Sequence, residues 1–397
     1  MDPAKKSIWT KRLKILVFIQ ACSSCLTPGL FLITGILGAQ FAPDPKWSTL
    51  PMAFLVLGVA TGGSIASHAM QVLGRTRGHQ TGFSLGLMGI IICASSLYWP
   101  QFFLYCFANF FLGISVAFSQ QIRFTAAEET LDRKGEVHSI ILAATLFSAF
   151  LGPGAAVVGR SVVSTEFLGS LGLLSLFIVA ALVGTFLLPD TNLNVSTSSD
   201  VLKTSVTNKS YSRLEIIKNR SFWKGALPAM VAFATMSLIM SATPIQMHHI
   251  DHFSHADTTL AIQSHIFSMY FPSLFSGYLV RRWRIKDIVA LGVLIFLASL
   301  LLGLIGHQFF NFLVSMILLG VAWNFLFLAG STYISTRFTG PDRFVVQGTN
   351  DTFVFGTQAI ASGVAGPLVL WLGWEWMMLA PIPLLLFLVY FHFKVQD

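Results

Sequence analysis

A chain of 397 residues that is 54% hydrophobic and only 11% charged is not composed like a soluble domain, where about 25% of residues carry charge. Its mean hydropathy is +0.71, and apolar runs of about 20 residues recur from end to end, each able to cross a hydrocarbon layer roughly 30 Å thick. The net charge of +8 is then read as orientation and attraction to anionic lipid, and no nucleic acid is needed to explain it.

Twelve spans, numbered here as helices 1 to 12, are expected at 15–41, 48–70, 80–98, 101–121, 138–159, 167–189, 225–246, 258–280, 288–306, 310–335, 346–371 and 377–393. The first is too long for the core of a cleavable signal peptide and shows no small-residue cleavage site, so it is retained as helix 1. The cysteines Cys22, Cys25, Cys93 and Cys106 all fall inside spans, where a free thiol packs as a small hydrophobe. If both termini are cytoplasmic, 23 of the 25 Lys and Arg residues lie on the inner side and only Lys46 and Arg160 outside, as the positive-inside rule requires. The expected location is the inner (cytoplasmic) membrane. A polar stretch rich in Ser, Thr, Asn and Lys, 190–224, separates residues 1–189 from 225–397, six helices on each side.

The two halves echo one another. The tripeptide RFT occurs at Arg123–Thr125 and at Arg337–Thr339, an offset of 214. At that offset Glu128 matches Asp342, Ser148 matches Ser362, and Gly152-Pro153 matches Gly366-Pro367. A second echo links QVLGRTRGH after helix 2 to GYLVRRWRIK after helix 8. An even number of helices per half makes such repeats parallel, related by an axis along the membrane normal.

On these residues the chain resembles the major facilitator superfamily of transporters over essentially its whole length. Gly74, Arg75 and Arg77 match the end of that family's loop motif between helices 2 and 3, whereas Gln71 stands in the place of its Asp and Ser67 in that of its first Gly. The second copy keeps Gly277 and Arg282, with Arg281 where the Asp would be. Arg123 with Glu128 or Glu129 resembles the partner loop after helix 4, and Arg337 with Asp342 its counterpart. The stretches HSIILAATLFSAF and QGTNDTFVFGTQAIASG resemble a bacterial branch that includes proposed riboflavin and other small-solute carriers. The resemblance implies an all-α membrane fold, two pseudo-symmetric six-helix bundles around a central cavity lined by helices 1, 4, 7 and 10.

The polar residues of those four spans are therefore the substrate candidates: Gln20, Ser24, Asn109, Ser237, Ser241, Gln246, Trp323 and Asn324. They suit neutral polar groups and aromatic rings. Ionisable groups inside a bilayer are costly and mark function. Here they are scarce: Asp351 is the one acid well inside a span, and His265 the best-placed imidazole. With Arg123, Glu128, Arg337 and Asp342 they are the candidates for proton coupling or gating. The run MHHIDHFSH at Met247–His255 lies at the outer end of helix 7. If that helix continued past Pro244, His248, His252 and His255 would share one face and could meet a metal ion. The same histidines could instead titrate as a gate or stand in a solvated loop.

The expected function is secondary transport of a small, largely neutral or aromatic solute, a riboflavin-like compound among the options, with protons as a plausible coupling ion. A metal or metal-chelate (siderophore) carrier, a multidrug or solute efflux antiporter, and a non-transporting sensor stay open as alternatives. No phosphate loop or nucleophile–base constellation points to an enzyme, no cofactor is called for, and a monomer is expected.

Overall fold

The computed structural model describes residues 8–44, 47, 50–99, 101–130, 133–188 and 212–394. The greater part of the expected linker lies outside them. Among the described residues the chain forms twelve membrane passes: α1 (Lys11–Ser24, then Leu26–Phe41), α2 (Leu50–Leu73), α3 (Arg75–Tyr98), α4 (Phe102–Gln120, then Ile122–Ala127), α5 (Lys134–Ala144, then Ser148–Gly159) and α6 (Leu168–Phe186). The second set is α7 (Arg220–Pro244), α8 (His255–Tyr270, then Ser273–Arg282), α9 (Ile285–Ile305), α10 (Phe309–Arg337), α11 (Arg343–Leu372) and α12 (Trp374–Leu379, then Ile382–Lys394). A short linker helix, Arg213–Lys218, precedes α7. Eleven passes are long and apolar enough to cross a membrane as helices. The twelfth, α8, is interrupted at Phe271-Pro272, because proline lacks the N–H that an interior helical position must donate.

Several boundaries differ from the expected ones. Helix 7 begins at Arg220 rather than 225, its first turn capped by the Asn219 side chain accepting from the Ser221 N–H at 2.9 Å. Helix 4 does not stop at 121; after a slight break it runs on through Ile122–Ala127 and carries Arg123 with it, buried. Tight reversals are made by Gly74 (φ +83°) between α2 and α3 and Gly373 (φ +84°) between α11 and α12, a backbone conformation open to glycine at no steric cost.

In the first half α4 is gripped between α2 and α3; in the second, α10 packs against α7, α8 and α9. The α2–α4 crossing is as close as helices come: a Cβ on Gly58 would strike the Phe110 carbonyl, and one on Gly113 the Leu55 carbonyl. Small residues allow such approach where no hydrophobic force pulls helices together in lipid. Gly58→Val is expected to cost about 3 kcal/mol by overpacking, read as a lower thermal midpoint of the purified protein; an unchanged midpoint would refute the close crossing.

The two sets of helices meet through α2 against α11 and α5 against α8. The end where α1 begins and α12 stops is called the basic end, since the linker and most Lys and Arg lie there.

Candidate functional site

At the basic end the facing helices are stitched by polar groups. On the α2–α11 seam, Ser64 and Thr352 share a hydroxyl hydrogen bond of 2.8 Å, and the Ser67 hydroxyl donates to the Phe344 carbonyl. The backbones can approach because Gly63 lies against Asp351 and Gly348 against Ser67. On the α5–α8–α10 seam, the Ser139 hydroxyl donates to the Ser273 carbonyl at 2.5 Å, Lys134 donates to the Ser335 carbonyl at 2.6 Å, and Arg281 pairs with Glu136 at 3.0 Å. Toward the opposite end, glycines 356 and 363 of α11 face open space. The structure is thus a conformer closed at the basic end.

The centre of the closure is an ion pair that crosses the halves. Arg123 of α4 pairs with Asp351 of α11, and both are buried. Gln121 donates to the second carboxylate oxygen at 2.7 Å and the Asn350 amide to the first at 3.0 Å. Beside it Glu128 binds Arg75 at 2.6 Å and Arg343 at 2.8 Å, and Arg75 also donates to Gln347 at 2.7 Å. The charged residues after helix 4 thus take separate partners: Arg123 turns across the interface, Glu128 takes Arg75 and Arg343, and Glu129 takes Arg12 at 2.7 Å. The counterpart Arg337 is exposed at the end of α10, and Asp342 stands at the N-cap of α11.

Burial pushes the Glu128 carboxyl upward, but Arg75 and then Arg343 outweigh it and hold it below the ordinary carboxylate range. A depressed carboxylate supports its bridge above the unpaired value, about 4.3, and loses it only as pH falls through the lowered value. Between pH 5.5 and 8 the Glu128 bridge is therefore expected to hold steady. Glu128→Gln should weaken basic-end closure equally across that range, read as slower cross-linking of a Ser64→Cys/Thr352→Cys pair. Since the thiolate fraction itself falls with pH, the variant and wild-type rates are compared at each pH, and a ratio that approaches one between pH 8 and 5.5 would contradict this.

Against the ion pair lies an aromatic cluster. The Arg123 guanidinium sits 4.7 Å over the Phe327 ring. Phe327 stacks on Trp323 at 5.0 Å, and Phe233 of α7 meets Trp323, Phe327 and Phe355 edge-on at 5.1, 5.2 and 5.3 Å. Tyr270 of α8 adds a fifth ring, 5.8 Å from Trp323. Within these helices buried polar atoms stand without a protein partner: the Trp323 indole N–H, the Thr235 hydroxyl, the Ser331 hydroxyl, Asn350 Oδ1 and, on α1, Gln20 Oε1. An unmade hydrogen bond in the interior costs on the order of 1–3 kcal/mol, so such groups await water or a ligand.

The remaining candidates divide. Asn109 accepts from Thr34 and donates to the Tyr105 carbonyl, both at 2.9 Å, so it ties α4 to α1 inside one half. Asn324 donates to the Met269 carbonyl and Ser273, tying α10 to α8. Ser24 bonds its own helix at Ala21; Ser237 is buried and Ser241 half-buried on α7. His265 is fully buried, its Nδ1 2.9 Å from the Met316 carbonyl and its Nε2 without partner. Gln246 donates to Asp251 at 3.1 Å at the far end, where His307 also meets Asp251 at 3.0 Å.

The histidine run does not keep one face. Past Pro244 the chain makes a π-helical turn, Ile245–Ile250, and His252 adopts φ +57°. His248 bonds the Phe253 carbonyl at 2.9 Å, and His255 opens α8. Among the described residues no group of three or more His, Cys, Asp or Glu side chains gathers as a metal ion would need. Residues that sequence reasoning passed over are Gln121, Gln347 and Asn350. The strings SQQIRF and QGTND, polar islands in apolar spans, were the available signal.

Twelve passes, one closed end and a buried polar–aromatic centre between two sets of helices define a membrane transporter. Residues 229–396 match the family model of the Major Facilitator Superfamily. Over 95% of its length the chain is 28% identical to the riboflavin transporter RfnT of Brucella anthropi, covering 94% of that protein. It is 27% identical over 93% of its length to YddS of Bacillus subtilis, described as an uncharacterized MFS-type transporter, covering 87% of it. Among solved structures it overlays FucP in the outward conformation (TM-score 0.69, 12% identity, 96% of this chain and 98% of that one) and human MFSD10, an organic anion transporter (0.72, 14%, 96% and 98%). Residues 229–396 thus match the Major Facilitator Superfamily, and the whole chain is similar to transporters of that type.

Proposed function

We propose that this protein carries a small, largely neutral, aromatic organic solute of the riboflavin type across the inner membrane by alternating access. The two halves, 1–189 and 225–397, rock about the centre, joined by 190–224. In this reading the basic end is cytoplasmic, and the structure faces the outside. The observation that carries the proposal is the cluster of Phe233, Tyr270, Trp323, Phe327 and Phe355 set against the Arg123–Asp351 pair. Offset and edge-on rings accept a flat heteroaromatic solute, and the partnerless indole N–H and hydroxyls nearby suit its carbonyl and imide groups. The riboflavin transporter of Brucella anthropi, matched from end to end, supports the same solute class. Asp351 and His265 are the groups that could take up a coupling proton.

The test is uptake of labelled riboflavin by a riboflavin-auxotrophic bacterium that expresses this chain and lacks its own carrier. Binding is followed in purified protein by the quenching of flavin fluorescence. Saturable uptake with matching fluorescence quenching is expected. Growth and uptake no better than the empty vector, with no quenching by riboflavin or a panel of flat heteroaromatic solutes, would sink the proposal.

A further inference from the structure

A cleft opens at the basic end beside the α2–α11 seam, apart from the aromatic centre. It is lined by Ser64, His68 and Gln71 of α2, Gly348 and Thr349 of α11, and Arg213 of the linker helix. Its wall is unusual in three ways. Among the described residues it contains two groups that can carry positive charge, Arg213 and His68, and no carboxylate. Acids on the neighbouring segments are committed elsewhere: Asp351 to Arg123, Glu128 to Arg75 and Arg343, and Glu215 to the Ser212 backbone N–H at 2.8 Å in a capping box. And the cleft is assembled from three parts of the chain: α2, α11 and the linker helix.

The linker helix is fixed there by an apolar anchor. Its Ile216 is buried among Phe124 of α4, Phe222 of α7, Ile334 of α10 and Val346 of α11. Trp223 clamps the helix from the far side, its indole N–H donating to the Ile217 carbonyl at 2.7 Å. Phe124 belongs to the first half and the others to the second, so the anchor exists while the basic end is shut. Ser64–Thr352 and Ser67–Phe344 form the floor between the two walls.

We propose that this cleft binds a small phosphate monoester through Arg213 and His68, with the Gln71 amide as a neutral donor, and thereby holds the basic end closed. A guanidinium and an imidazole beside hydroxyls and an amide, with no acid among the described lining residues, favour a compact anion over a zwitterion or cation. Because α2, α11 and the linker helix separate when the basic end opens, the ligand binds one conformer only. By linkage it then shifts the carrier toward that conformer by its full binding free energy. The expected outcome is inhibition from the side on which the linker lies. This inference goes beyond the transported solute and does not depend on its identity.

The experiment uses the full chain in nanodiscs of phosphatidylcholine. Glycerol 3-phosphate is titrated while the cross-linking rate of the Ser64→Cys/Thr352→Cys pair and the thermal midpoint are followed. The expected result is faster cross-linking and a raised midpoint, with Arg213→Gln and His68→Gln each weakening the response about ten-fold. Arg284→Gln, an exposed cation between α8 and α9 outside the cleft, leaves it unchanged. Arg213 and His68 are themselves exposed, so their variants are expected to fold; a wild-type midpoint without ligand verifies this. No response to glycerol 3-phosphate up to about 10 mM, which would be about 100 times a Kd of about 0.1 mM, overturns the proposal. So does an equal response in Arg213→Gln, or a response seen only when the discs contain an anionic lipid. That last result would assign the cleft to a headgroup instead.

Discussion

Asp351→Ala is expected to abolish accumulation of solute. Arg123 is enclosed by the Phe124 and Phe327 rings, at 4.4 and 4.7 Å from its guanidinium carbon, and among the described residues Asp351 is the carboxylate that pairs with it. Removing one member of a buried ion pair costs about 3–5 kcal/mol, because the other charge is left stranded. At 1.4 kcal/mol per factor of ten, a penalty near 3 kcal/mol disfavours the closed conformer by about 100-fold. The cycle then stalls with the basic end open. Removing both charges strands neither, so Arg123→Gln/Asp351→Asn is expected to recover closure, measured as labelling of a cysteine placed at Ser67, without recovering concentrative uptake. Near-normal accumulation by Asp351→Ala would show that the pair is only structural packing.

Trp323 should carry the second large effect. It is buried, it stacks on Phe327, and Phe233 and Tyr270 meet it edge-on. Trp323→Ala removes the platform and should weaken solute binding by about 10- to 100-fold, the range of about 1–3 kcal/mol typical of stacking on an aromatic side chain. That variant also loses about 3–5 kcal/mol of core packing, so a lower midpoint is expected with it. Trp323→Phe separates the two causes. It keeps a ring in place but lacks the indole N–H, which has no partner in the protein. It should retain most of the stability and still lose about ten-fold in affinity, the value of one hydrogen bond of about 1 kcal/mol or more. Full affinity in Trp323→Phe would remove the N–H from the site; full affinity in Trp323→Ala would remove the ring.

The fold was legible because bilayer thickness sets span length, and the apolar runs match it regardless of partner. The repeat of RFT and Gly-Pro at a fixed offset likewise needs no structure. What stayed hidden depended on neighbours. Arg123 reads as a loop cation, since a span is naturally ended at the first charge; Asp351, 228 residues away, two aromatic rings and the Gln120 carbonyl at 3.1 Å make a buried position tolerable for it. Asp351 reads equally well as a first-turn acid, yet α11 begins at Arg343, which sets it two turns deep. Asn109 and Asn324 look like ligand contacts in a single helix; their bonds to Thr34 and Met269 reveal interhelical ties. The histidine run fails as a common face because the π turn and the left-handed His252 rotate its members apart, a backbone choice that spacing alone cannot disclose.

The repeat also shows what duplication left single. The residue 214 positions before Asp351 is Val137, so the acid has no twin, and the twin of Arg123, Arg337, is exposed to solvent. Two-fold symmetry in the scaffold thus ends in a one-sided electrostatic clasp. On the proposed alternating-access reading, such a clasp would bias an unloaded carrier toward one resting orientation, its mouth open opposite the linker helix. Turnover at low solute is then governed by how often cargo releases the clasp, which makes the arriving molecule itself the trigger of the stroke.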